Sequence, residues 1–232
     1  MRIHEHYGIL TAAHVVDDLL GAKTPMIAIV CTEQVHQLMV HRDHTEVTRF
    51  GPNQTDSTIG PDLAFIRLLD PVVTSSLKAK KSFYPLSSST CAIFDKIEPK
   101  NSATCCLTGA PAEIASEEGL RGTESHVLCN THFAARAQVG GQVMAGGFDY
   151  LQMDVIAGRD SFPERYNGVS GGGVWHIPFA MNPEIGKSSM CYQRLELVGV
   201  AFHQSELIEE SRIITCHGPR SIYERLVEQM PP

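Results

Sequence analysis

The apolar residues of this chain come in short runs, and each run stops at Gly, Pro, Ser, Asn or a charged residue. Nine runs stand out: Pro25–Val30, Val35–Val40, Leu63–Leu69, Thr104–Thr108, His126–Asn130, Tyr150–Ile156, Gly173–Phe179, Leu195–Phe202 and Arg212–His217. Runs this short, rich in β-branched and aromatic residues, predict strands. Helical periodicity is confined to Ala12–Leu20 and to Pro219–Met230. In the latter, Ile222, Leu226 and Met230 recur at four-residue spacing with Tyr223 and Val227 beside them, and Pro219 suits the first turn. Many punctuated strands predict an all-β fold. A chain of 232 residues is large for one sandwich and fills two antiparallel β-barrels more easily, closed by a C-terminal α-helix. The small, polar stretch Pro85–Thr90, continuing to Asn101-Ser102, is the expected connection. It divides the chain into an N-terminal barrel half, residues 1–90, and a C-terminal barrel half, residues 91–232. Asn182–Ser189 reads as an inserted loop, and no repeat of 20–50 residues is evident.

The net charge of −7 gives the chain nothing to gain from phosphate backbones, so nucleic acid is not an expected partner. The densest basic run, Lys78-Ala79-Lys80-Lys81, reads as a solvated loop. With no apolar run of about 18 residues, no membrane span is expected. The start, MRIHEHYG, lacks the apolar core of a secretory signal. Seven cysteines, two of them adjacent at Cys105-Cys106 and none in a C-x-x-C pair, do not form a disulfide framework or a zinc pattern. Reduced thiols in a cytoplasmic protein are the expectation; the alternative is that a leader and more of the N-terminus are missing. His4 and His6, and His36, His41 and His44, lack ligand-type spacing and a carboxylate partner, so neither metal nor cofactor is expected.

The stretch "YNGVSGGGVW" (Tyr166–Trp175) crowds Gly168, Gly171, Gly172 and Gly173 around Ser170. Glycine permits positive φ and close approach of a substrate to the backbone. The N–H groups of Gly168 and Ser170 could then converge on one point, as an oxyanion requires. A nucleophilic serine also needs a base and a group that orients the base. Among eleven histidines His14 stands apart, at the end of an apolar strand and after two small alanines, Ala12 and Ala13. Asp62 lies at the mouth of the apolar run that follows Gly60-Pro61, where a buried carboxylate needs partners, and a histidine N–H is a natural one.

Taken together, "LTAAHV" (Leu10–Val15), "DLAFIRL" (Asp62–Leu68) and "GVSGGG" (Gly168–Gly173) resemble the histidine, aspartate and serine motifs of the trypsin/chymotrypsin-like serine peptidases, in that family's order. "LTGAP" (Leu107–Pro111) resembles the first strand of the family's second barrel, and "LVGVAF" (Leu197–Phe202) the strand that flanks its substrate pocket. The resemblance runs from about Tyr7 to Met230. It implies catalytic roles for His14, Asp62 and Ser170, an oxyanion hole at Gly168 and Ser170, and a polypeptide substrate added as a strand beside Phe202, His203 and Gln204. Glu164, six residues before Ser170, matches the offset of the specificity-pocket base, where an acid would favour Lys or Arg.

The departures matter as much. Only Met1–Ile9 precede Leu10, so the first barrel looks short of N-terminal strands, or the true start lies upstream. Val169 stands where zymogen-type members keep an aspartate, which argues against activation by a newly cut N-terminus. Gly168–Gly172 also fits G-x-S-x-G, the nucleophile elbow of α/β-hydrolases. That fold places its acid and then its histidine after the serine, and no aspartate follows Ser170. The expected function is therefore serine endopeptidase. Two alternatives stand beside it: a protease fold that binds peptide without cutting, and an effector completed by a protein partner or an upstream segment.

Overall fold

A computed structural model of the protein describes residues 1–23, 25–30, 37–50, 60–88, 103–114, 116–119, 126–129, 133–159, 162–181, 190–192 and 195–231. The expected connection beyond residue 88, the expected loop 182–189 and His36 lie outside the described residues. The chain is mostly β, with 49% of it in strands.

All nine expected strands form. They are β3 (Met26–Val30), β4 (Gln37–His41), β6 (Leu63–Leu68), β8 (Ala103–Gly109), β10 (His126–Cys129), β12 (Phe148–Ile156), β13 (Gly173–Met181), β15 (Glu196–Gln204) and β16 (Ser211–His217). The others are β1 (Arg2–Ile3), β2 (His6–Thr11), β5 (Thr45–Phe50), β7 (Pro85–Leu86), β9 (Ser116–Gly119), β11 (Phe133–Ala145) and β14 (Met190–Tyr192). In the C-terminal half the order β13-β15-β16-β12-β11-β8 closes on itself, because β8 also pairs with β13. This is a closed six-stranded antiparallel barrel, in which every strand has a neighbour on both sides over part of its length. Its interior is filled by inward residues such as Leu107, Met153, Val174, Val198 and Ile214.

The N-terminal half is expected from the sequence to be a barrel short of its N-terminal strands. It is a five-stranded sheet in the order β5-β6-β2-β1-β7, accompanied by the β3–β4 hairpin, and it does not close among the described residues. β6 is buried on both faces, which explains its unbroken apolar run. Ala64 and Ile66 face α1 (Ala13–Gly21) through Val16, while Leu63 and Phe65 face the barrel side.

The basic run read as a loop is instead the last turn of α2 (Pro71–Lys80). Asp70 caps that helix, its carboxylate accepting from the N–H of Val72 at 2.7 Å and of Val73 at 3.4 Å, and Pro71 occupies the first turn. Lys78 and Lys80 sit at the negative end of the helix, where cations are favoured.

The C-terminal helix forms as expected. Its π-helical stretch, Ser221–Leu226, continues into α3 (Val227–Gln229). Asp149 on β12 anchors its start, accepting from Ser221 N–H at 2.6 Å and Arg220 N–H at 3.1 Å. Its apolar face, Ile222, Leu226 and Met230, packs into one cluster with Ile3, Leu10 and Phe65 from the N-terminal sheet and Tyr150 and Phe202 from the barrel. The two halves therefore share a core, and the helix lies within it.

Candidate active site

β2 and β6 are antiparallel neighbours, with Thr11 opposite Ala64. That register sets the end of β2 beside the start of β6, and so brings the first turn of α1 next to Asp62. The side chain of Asp62 engages that turn through the backbone of Ala13 and through both the backbone and the side chain of His14. Its Oδ1 accepts from the backbone N–H of His14 at 2.9 Å, and its Oδ2 lies 2.5 Å from His14 Nδ1. A carboxylate at the start of a helix is favoured by the peptide dipoles as well. α1 has no side-chain cap of its own at Ala12, and Asp62 supplies an acceptor from outside the helix.

With Nδ1–H donated to Asp62, the Nε2 of His14 is left free to accept. The hydrogen bond to Asp62 raises the His14 pKa above its ordinary value, partial burial opposes this, and the charges of Asp62, Asp18 and Asp17 add to the rise. For Asp62 burial pushes the carboxyl up. The bonds from the His14 side chain and backbone outweigh it, so the net shift is downward. Asp62 is only 6% exposed, and its own N–H donates to Nε2 of His217 at 2.9 Å.

Ser170 sits in a turn fastened on both sides. Val169 N–H bonds to Tyr166 O (3.0 Å), Gly172 N–H to Val169 O (2.7 Å) and Gly171 N–H to Ala201 O (2.8 Å). Two of its glycines are required by position. Gly168 has φ +89°, and a Cβ there would fall 2.6 Å from Ala110 O. Gly171 has φ +82°, and a Cβ there would fall 2.1 Å from Thr11 Oγ1. The second contact joins the halves: the residue after Ser170 lies against Thr11, three residues before His14. Val169 is buried in the barrel core, packed against Gly109.

The three motif residues are thus brought into one region but are not equally engaged. His14 and Asp62 are bonded. Ser170 Oγ instead donates to Phe202 O at 3.5 Å, and among the described residues no hydrogen bond joins it to His14. The N–H groups of Gly168 and Ser170 meet no protein acceptor among the described residues.

Beside Ser170 lies a cavity of about 190 Å³, lined by Tyr166, Asn167, Val169, Ala201, Ile214 and the segment Phe202-His203-Gln204. All three substrate-strand residues expected from the sequence are therefore at the cavity. Gln204 reaches across it, its Oε1 accepting from Tyr166 N–H at 2.9 Å and its amide nitrogen bonding Asn167 Oδ1. Glu164 does not line it. Its side chain is exposed, its N–H donates to Glu113 Oε1 at 3.0 Å, and its carbonyl accepts from Arg212 Nε at 2.6 Å. The cavity wall carries no carboxylate, and Glu164, expected from the sequence at the base of a specificity pocket, lies outside this cavity. Among the described residues no three His, Cys, Asp or Glu side chains are grouped to hold a metal ion. Burial raises the thiol of Cys105 to about 11 and that of Cys106 as well, so neither is poised as a thiolate.

Sequence reasoning missed Thr11 as the docking point of the serine turn, Gln204 as a cavity strap, and His217. His217 lies 155 residues from Asp62, and no local pattern marks it.

A closed six-stranded antiparallel barrel beside a second β-sheet defines a class of architecture compatible with a chymotrypsin-like fold. No protein-family profile matches the chain, and no curated protein is significantly similar to it. No described helix is long and apolar enough to cross a membrane.

Proposed function

We propose that the protein is a trypsin/chymotrypsin-like serine endopeptidase. The observation that carries this reading is the doubly bonded His14–Asp62 pair, next to which the Ser170 turn is held by the Gly171–Thr11 contact. In this reading Ser170 Oγ turns from Phe202 O toward Nε2 of His14 when substrate binds. Catalytic hydrogen bonds are often long or unmade before substrate arrives. Ser170 attacks the peptide carbonyl, and His14 takes its proton and later delivers it to the leaving amine. Asp62 fixes the tautomer and stabilises the imidazolium. The free N–H groups of Gly168 and Ser170 receive the oxyanion, and loss of one such donor typically costs about 10²–10³ in turnover.

The substrate adds as a strand along Phe202–Gln204. On one side this segment pairs with β16, while the pairing with β13 stops at Val200, so its other edge faces the Ser170 turn. The cavity then takes an uncharged side chain before the cut.

Reaction with a fluorophosphonate probe tests the assignment. The wild-type chain should label and Ser170→Ala should not. An unlabelled wild type, or equal labelling of the two, would overturn it. The unmade Ser170–His14 bond favours a second reading, a peptide-binding module with the same fold. That reading predicts peptide affinity without turnover and indifference to His14→Ala.

A further inference from the structure

We propose that His217 is a positioning residue for this site, and the inference rests on the peptidase reading above. Its imidazole ties the backbone of Asp62 to the bulged residue Phe202, which receives the Ser170 hydroxyl. His217 thereby sets the acid–base pair and the nucleophile at a fixed separation.

Three observations carry it. First, His217 is fully buried, and its Nε2 accepts the N–H of Asp62 at 2.9 Å. It is therefore the protein group that holds the Asp62 main chain, while His14 engages the side chain.

Second, the ring lies on Phe202, with centroids 4.7 Å apart and planes at 31°. Phe202 is the extra residue of a β-bulge. Ala201 pairs with Cys216 and His203 with Thr215, leaving Phe202 without a partner on β16. Bulges re-aim side chains, often beside active sites. Here the bulge turns the Phe202 ring inward, where it meets His217 and Tyr150, while its carbonyl accepts from Ser170 Oγ. One imidazole thus touches both the residue that orients the base and the residue that holds the nucleophile.

Third, His217 is a poor choice for packing alone. With Nε2 accepting, Nδ1 must carry the hydrogen, and this buried atom has no hydrogen-bond partner among the described residues. Tyr150 and Phe148 complete the aromatic surround, with centroids 5.2 and 6.2 Å from the imidazole. An apolar side chain would suit that surround and would carry no polar atom of its own to satisfy. What the imidazole adds is the acceptor for Asp62. Burial lowers its pKa to about 4, so it remains a neutral acceptor at ordinary pH.

The test uses the full chain and needs no natural substrate. Fluorophosphonate inactivation is resolved into a maximal rate and an apparent affinity for wild type, His217→Phe and His217→Gln. Phe keeps the shape and removes the acceptor, and Gln restores an acceptor oxygen near Nε2. A displacement on the ångström scale costs about 10–100-fold in rate. The Phe variant should lose that much in the maximal rate with apparent affinity unchanged, and Gln should recover most of it. A folded Phe variant that labels at the wild-type rate overturns the proposal, as does a folded Gln variant no faster than Phe.

Nitrogen NMR of the wild-type imidazole gives an answer independent of activity and of whether the Phe variant folds. Nε2 should show the unprotonated, acceptor pattern and Nδ1 the protonated one; the reverse overturns the proposal. If the wild type takes no label, the peptidase reading is what has failed. The ring-nitrogen pattern then decides the positioning role on its own, together with the His14–Asp62 proton resonance, which should shift in a folded His217→Phe and stay in place in His217→Gln; a resonance unmoved in the Phe variant overturns the proposal.

Discussion

Two histidines meet Asp62, one through its carboxylate and one through its amide, and they titrate in opposite directions. His14 is raised from 6.5, chiefly by its bond to the Asp62 carboxylate. In the proposed peptidase reading His14 is the general base and must be neutral, so reactivity should rise with pH through a midpoint above 6.5. A fluorophosphonate labelling-rate profile measures this, and a midpoint at or below 6.5 would mean that the pair is not coupled in solution. In stability terms, a raised folded pKa gives a contribution present below about pH 6.5 that is lost as pH rises through the shifted value. His217 behaves in reverse. Its folded pKa is depressed to about 4, so the unfolded chain takes up a proton on acidification before the folded one does. Stability should therefore fall between about pH 6.5 and pH 4, by about 3 kcal/mol from this group alone. Urea unfolding of wild type and His217→Gln across that range isolates it, since the variant lacks the titrating group and should show the shallower decline.

At the scale of elements, strand existence was legible because barrel and sheet strands here are apolar on the faces that matter. β6 reads as a continuous apolar run because both its faces are covered. β11 went unread although it alternates, with Phe133, Ala135 and Ala137 buried and Ala134, Arg136 and Gln138 exposed. Two of its three buried positions are alanines, and Gly140 and Gly141 interrupt the run, so their weak strand preference hides the period. α2 is hidden for another reason: it buries only Val73, Thr74 and Leu77, and the lysines at its end leave too thin an apolar stripe to show a helical period. Asp70→Ala should cost about 1 kcal/mol through the lost cap. Chemical denaturation can measure that, and no loss would mean that the carboxylate bonds to Val72 and Val73 contribute nothing. The site divides along similar lines. His14, Asp62 and Ser170 each lie in a local motif, so the sequence could single them out and the fold brings their segments together. His217 acts through contacts between distant segments, and nothing in its own neighbourhood announces it; Gln204 is legible from its place in the strand beside the site, while its bonds to Tyr166 and Asn167 are not. Glu164 shows the opposite failure. A fixed offset from Ser170 suggested a pocket base, but the loop carries the side chain outward and leaves only its main chain engaged.

For the whole molecule, the cluster shared by Ile3, Leu10 and Phe65, by Tyr150 and Phe202, and by Ile222, Leu226 and Met230 decides how the halves behave. Surfaces that lose apolar cover when separated do not unfold independently. Calorimetry should show a single transition whose van't Hoff and calorimetric enthalpies agree, and two resolved transitions would contradict a common core. The same cluster orders events during synthesis. The Gly171–Thr11 contact needs the halves docked, and docking buries the face of a helix that begins at Ser221. While the ribosome is still threading that helix, every residue of the candidate triad has already emerged, yet the surface that presses the halves together is unfinished. In the proposed peptidase reading, a nascent chain thus carries Ser170, His14 and Asp62 without a formed site, and its own unfolded segments are spared until translation passes the helix.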